Sequence, residues 1–174
     1  QIYHGKGHQS TGSDNNDGAK IELVRRMGMP VGIGPDASNL GVAAMVIYSA
    51  AIMKTNPELV AARERGIPIV ERSGILGYIT RQYDCCICVS GTHGKTSTTA
   101  MLTQILLDAD MDPSAVIGGK LPAIGGNGRA GASGIMTCEA CEFVNTFLKR
   151  LPVVSILFNI YEDHLAHFGT LETI

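Results

Sequence analysis

The 174-residue chain carries 14 Lys and Arg against 16 Asp and Glu, a formal net charge of −2, and is 45% hydrophobic. That length can bury a real core in one ordinary domain or two small ones, while near-neutral charge leaves no electrostatic surplus for a nucleic-acid backbone or an anionic membrane. No apolar run approaches the ~20 residues that span a bilayer, and the opening Gln1-Ile2-Tyr3-His4-Gly5-Lys6-Gly7 lacks a signal peptide's apolar stretch, so a cytoplasmic location without membrane insertion is expected.

From residue 1 to about Tyr83, short apolar runs alternate with helix-like stretches, the βα signature. The run 42–48 is apolar on both faces, as a parallel strand covered by helices must be, and stops at Ser49. Asn56 is placed to cap a helix with Pro57 at its first position, and Gly66 to end it. Residues 67–70 read as a short strand and 74–82 as a further helical turn or two. A second unit begins at Tyr83-Asp84. Residues 85–89 form a buried strand, 90–95 a glycine loop, and 96–108 a helix whose Met101, Leu102, Ile105 and Leu106 make one apolar stripe. Gly118-Gly119 and the stretch from Gly125 to Gly131 are expected to form a glycine-rich loop region, 135–138 a weak strand and 153–158 another buried strand ending at Asn159. Three of the five cysteines, Cys85, Cys86 and Cys88, fall in the buried strand and read as reduced core thiols. The expected fold class is α/β: a Rossmann-like unit over residues 1–83, then part of a P-loop-type central domain over 84–174, with mainly parallel sheets. The abrupt start and finish read as a piece of a larger protein that lacks an opening strand and its glycine turn.

The strongest chemical signal is Gly91-Thr92-His93-Gly94-Lys95-Thr96-Ser97, set between a buried strand and a helix as a phosphate loop requires. Backbone N–H groups there would face an anion, Lys95 would meet the outer phosphates, and the Thr96 hydroxyl would ligate Mg²⁺. Val89 stands where the full pattern has its first glycine, and the alternative is a tight turn with a solvated lysine. Glu139, at a strand end, can reach a metal held by that loop; alone, it is as well read as a surface acid. Cys138 and Cys141 form a Cys-x-x-Cys pair, but a zinc site needs two more ligands and no second pair follows downstream, so neither zinc nor a disulfide is expected there. His164 follows the last strand, where a metal ligand, an acid/base group or a solvated side chain are all open readings. Asp14 and Ser49 each follow an apolar run and suit a ribose hydroxyl and a diphosphate, weakly when taken singly.

Taken together, Gly12-Ser13-Asp14, Tyr48-Ser49-Ala50-Ala51-Ile52, Asn56-Pro57-Glu58, Gly66-Ile67-Pro68, the loop 91–96, Asp112-Pro113, Gly118-Gly119, Glu139-Ala140-Cys141-Glu142 and residues 159–165 resemble the Mur ligase family over nearly the whole chain. The resemblance implies a UDP-sugar-binding first domain, a central ATPase and a third domain, absent here, that helps hold ATP and the amino acid. His93 and the Ser49-Ala50-Ala51-Ile52 segment are similar to the member that joins L-alanine to UDP-N-acetylmuramate through an acyl phosphate. The resemblance assigns Lys95 to the ATP phosphates, Thr96 and Glu139 to one Mg²⁺, His164 to a second, and Asp14, Ser49, His93 and Asn127 to the substrate side. Two departures stand out: Ala166 where the family usually has Asp, and Cys141 where many members have Asp. Rival readings are a sister or folylpolyglutamate-type ligase, and a nucleotide-binding module without catalysis.

Overall fold

A computed structural model of the chain describes residues 1–140 and 152–159. The chain forms two compact units, one from Tyr3 to Ile75 with Gln1, the other from Leu76 onward with Ile2. The first begins with a short helix, α1 (Ile2–Gly5), and then repeats one motif twice. Strand β1 (Gly12–Asp14) leads through helix α2 (Ala19–Arg26) to β2 (Val31–Ile33), which pairs with it in parallel. Strand β3 (Val46–Tyr48) likewise leads through α3 (Pro57–Glu64) to its parallel partner β4 (Ile69–Glu71). The result is two separate two-stranded sheets.

Local chemistry explains the two crossover helices. In α2, Glu22 lies in the first turn and Arg25 and Arg26 in the last, the order that a helix dipole favours. The side chain of Asn56 accepts hydrogen bonds from the amides of Glu58 and Leu59, Pro57 occupies the first turn, and Gly66 leaves the helix with a φ of +66°. Helix α3 buries Leu59, Ala61 and Ala62, and the last two pack with Leu40, edged by Ala37, Val46, Ile67 and Ile69. The expected strand 42–48 is shorter than its apolar run. Gly41 turns the chain at a φ of +47°, Val42 is fully exposed, and only Val46–Tyr48 is strand.

Helix α4 (Arg72–Thr80) contains the boundary between the units. The second unit is one sheet of β5 (Cys85–Ser90), β6 (Ser114–Leu121), β7 (Gly126–Arg129), β8 (Ile135–Glu139) and β9 (Val154–Leu157), in the order β7-β6-β8-β5-β9. All pairings are parallel except that of β6 with β7. Helix α5 (Lys95–Asp108) connects β5 to β6.

Three expectations for this unit need correction. The stretch 118–131 is mostly sheet: Gly118 and Gly119 lie in β6, and Gly126 and Gly128 in β7. Second, α5 does not bury the Met101–Ile105 edge of its apolar stripe, since those side chains are 59% and 64% exposed. Its buried residues are Thr99 and Thr103, whose hydroxyls donate to the carbonyls of Lys95 and Thr99, while Thr103 Oγ1 lies 2.7 Å from Thr137 Oγ1 on β8. Small β-branched side chains that satisfy their own hydroxyls let a helix approach a sheet closely, and that outweighs hydrophobic periodicity here. Third, β9 is an edge strand among the described residues, with Val154 and Leu157 exposed.

Candidate functional site

At the carboxyl end of β5, Gly91 adopts a φ of +139° and Gly94 one of +83°, and the chain enters α5 at Lys95. The loop is clasped by the end of β9. Asn159 accepts from the His93 amide at 2.9 Å, donates to the His93 carbonyl at 3.0 Å, and receives the Thr92 amide on its own carbonyl at 3.1 Å. A Cβ at Gly94 would sit 3.2 Å from the Phe158 ring, so glycine is needed there for space as well as for backbone angle. Lys95 Nζ donates to the carbonyls of Gly91 at 2.5 Å and Thr92 at 3.0 Å, which holds the ammonium over the loop. His93, Thr96 and Ser97 are exposed around it.

Strand register supplies the acidic partner. Val89 lies opposite Glu139, so the end of β8 comes level with the start of the loop. The Glu139 carboxylate accepts the Gly118 amide at 2.5 Å. A Cβ built on Gly118 would lie 2.7 Å from Glu139 Oε2 and 3.0 Å from Thr96 Oγ1, so a carboxylate and a hydroxyl share the space that this glycine leaves open. Two hard oxygen donors around such a gap, with solvent access on the Thr96 side, fit Mg²⁺, which takes few protein ligands and keeps water and phosphate as the rest. The exposed N-terminus of the 14-residue helix α5, with Lys95 beside it, fits a polyphosphate. Asn127 is exposed on β7, opposite the register shift between Val116 and Leu121. His164 and Cys141 lie outside the described residues.

The first unit holds a cleft of about 350 Å³ whose lining includes Asp14, Asn39, Tyr48, Ser49 and Glu58. Asp14 and Ser49, weak as separate sequence signals, therefore share one cavity. Glu58 organises it: its carboxylate accepts from Ser13 Oγ at 2.9 Å, Asn39 Nδ2 at 2.8 Å and the Asp36 amide at 3.3 Å. Asp36 in turn accepts from Ser38, and those hydrogen bonds, side chain first, hold its carboxyl below the usual carboxylate value. Sequence reasoning gave Glu58 and Asn159 no role, because their partners lie far along the chain. The only local signal was their position, at a helix start and just past a strand.

A buried strand, a loop with two glycines at positive φ, Gly94-Lys95-Thr96 and a long helix over a largely parallel sheet define an α/β protein of the phosphate-loop type. Residues 1–84 match the Mur ligase family, catalytic domain, and residues 89–174 the Mur ligase middle domain. The chain belongs to the Mur ligase family. It is 40% identical over 174 residues to UDP-N-acetylmuramate–L-alanine ligase of Sinorhizobium fredii, spanning 100% of this chain and 37% of that protein. The enzyme of the same name from Clostridium beijerinckii is 41% identical over 168 residues, 97% of this chain and 37% of its own length. Among solved structures, UDP-N-acetylmuramate-alanine ligase MurC of Thermotoga maritima matches with a TM-score of 0.90 at 28% identity, covering 99% of this chain and 41% of that one. The chain thus spans little more than a third of the length of the curated relatives it matches. No helix among the described residues is long and apolar enough to cross a membrane.

Proposed function

We propose that this chain is the UDP-sugar-binding domain and part of the ATP-binding domain of a cytoplasmic ligase that joins L-alanine to UDP-N-acetylmuramate in peptidoglycan precursor synthesis. The reaction is ATP-dependent amide formation: the lactyl carboxylate takes the γ-phosphoryl group to become an acyl phosphate, and the alanine amine displaces phosphate. Negative charge grows between groups that are already anionic, so preorganised cations and donors are what the reaction needs. Lys95 holds an ammonium over the phosphate loop, and the N-terminus of α5 presents amides. Thr96 and Glu139 would hold Mg²⁺, which supplies charge neutralisation at the phosphates. His93 stands exposed on the same loop, and the cleft containing Asp14 and Ser49 suits a sugar nucleotide. Asn127 and His164 are assigned by resemblance, to the reacting groups and to a second Mg²⁺. The functional boundary between the two domains is proposed at residues 83–84, just before β5 and after the point inside α4 where the two compact units part. The observation that carries the proposal is the meeting of Thr96 Oγ1 and the Glu139 carboxylate over Gly118, beside Lys95.

The test is coupled phosphate release by a protein that extends this sequence to its relatives' full length, supplied with ATP, Mg²⁺, UDP-N-acetylmuramate and L-alanine. Formation of UDP-N-acetylmuramoyl-L-alanine is expected. Steady turnover only with a different amino acid or a folate acceptor would assign the chain to a sister ligase, and Mg·ATP binding without turnover on any acceptor would leave a nucleotide-binding module. The 174-residue chain alone is expected not to ligate alanine, because acyl transfer depends on holding carboxylate, phosphate and amine together, and in the family a third domain helps to do so.

A further inference from the structure

Behind the phosphate loop, three cysteine sulfurs meet in the core of the second unit. Cys88 and Cys138 are direct partners in the β5–β8 register, and Cys86 lies two residues before Cys88, so all three project from one face of the sheet. Thr137 reaches α5 through Thr103, and strand alternation therefore turns Cys138 and its two companions to the opposite face. Cys88 Sγ lies 3.1 Å from Cys138 Sγ and 3.9 Å from Cys86 Sγ, and all three sulfurs fall within 4.8 Å of one another. They are 0%, 2% and 0% exposed for Cys86, Cys88 and Cys138. Sequence reading paired Cys138 only with Cys141 and found no further ligands downstream. The fold supplies two from fifty residues upstream.

We propose that Cys86, Cys88 and Cys138 form a three-sulfur site for a soft, low-coordinate cation of the Cu(I) type. Sulfurs held about 2.3 Å from a common metal in a trigonal plane stand about 4 Å apart, and the Cys86–Cys88 separation already matches. The shorter Cys88–Cys138 separation is far from the ~2.05 Å of a disulfide, and metal binding would have to lengthen it. Thiolate donors select Cu(I), zinc and iron–sulfur centres over hard ions. Among the described residues, these three sulfurs are the His, Cys, Asp and Glu donors that converge here, a donor set that suffices for an ion content with three ligands. Binding forms copper–sulfur bonds and releases thiol protons to solvent, so affinity rises with pH. Because the sulfurs are buried, loading is slow in the folded chain and fast during refolding. The site lies one residue behind Glu139 and rests on none of the nucleotide assignments.

Anaerobic titration of the 174-residue chain with Cu(I), against a competing chelator, tests this without any nucleotide. One equivalent should bind with a thiolate-to-copper charge-transfer band, and copper-edge X-ray absorption should count three sulfur neighbours. Cys88→Ser and Cys138→Ser should each weaken binding by about 100-fold or more, since even an outer partner of a metal ligand is worth 10–100-fold. Cys85→Ser, in the neighbouring position on the other face of β5, should leave it unchanged. Natively folded chain that takes up no copper even on refolding would overturn the proposal. So would a sulfur count below three, which requires no variant to fold, or binding that survives both serine substitutions.

Discussion

In the first unit a single carboxylate, Glu58, ties together three segments around a cleft, whereas in the second the functional side chains stand where the register of a five-stranded sheet places them. Two two-stranded sheets cannot dictate the position of a loop from a third strand, so side-chain hydrogen bonds take over that task. The larger sheet brings Glu139 level with the phosphate loop through backbone pairing alone. It follows that changes at the second unit's site should alter ligand binding while sparing the fold. Changes at Glu58 should alter both together.

The largest effect is expected at Lys95. Lys95→Ala should lower ligation by the full-length enzyme ~10²–10³-fold, the usual loss for one such electrostatic contact, with circular dichroism unchanged. A variant of normal activity would remove the phosphate-loop assignment. Gly118→Ala comes next, because its Cβ would press on both Glu139 Oε2 and Thr96 Oγ1. A rise of about 10-fold in the Mg²⁺ requirement is expected, short of the ~10²-fold that a displacement of about 1 Å can cost; an unchanged Mg²⁺ titration would separate that pair of oxygens from the metal.

Stability measurements sharpen the contrast further. Thr103→Val leaves the buried Thr137 hydroxyl without its partner and should cost about 1–3 kcal/mol in denaturant melts, while adding Thr137→Val should recover most of that loss. A double variant as unstable as the single one would mean that packing, not the hydroxyl pair, governs how α5 sits. Glu58→Ala should cost about 1 kcal/mol, discounted because the network is partly exposed, with hydrogen exchange rising in residues 11–59 and not in the large sheet. Uniform exchange across both units would contradict the division of labour. The smallest effect belongs to Asp36. Its carboxyl titrates below its ordinary value of 3.8 because Ser38 donates to it, so the stabilisation is complete above that pH and fades as pH falls through the folded value. Asp36→Asn should flatten a slight acid dependence of the 3-10 turn at residues 37–40 and nothing else.

Wherever a signal is local, the amino-acid sequence was enough. The Asn56 cap, Pro57 and Gly66 delimit α3 within two residues, and an apolar strand before Gly91 with a helix after Gly94 locates the loop. It misled where one residue type serves two purposes. Glycines between 118 and 131 look like loop, yet at Gly118 the missing side chain makes room for Glu139 and Thr96 inside a sheet. Apolar residues at 101 and 105 look like a buried stripe, yet the face of α5 that packs is the one that can satisfy its hydroxyls. Glu58, Asn159 and the sulfur cluster depend on partners 19 to 66 positions away, a distance over which periodicity carries no information.

Asn159 has one more consequence, for the order in which this chain acquires its shape. The clasp on His93 spans 66 residues. During synthesis the strand, loop and α5 leave the ribosome well before the asparagine that closes them, so the loop spends that interval tethered only by its own helix. Contacts of such long sequence separation form late, after the intervening strands have found their places. A released chain that ends just before residue 159 should therefore carry an open, protease-sensitive loop on an otherwise established sheet.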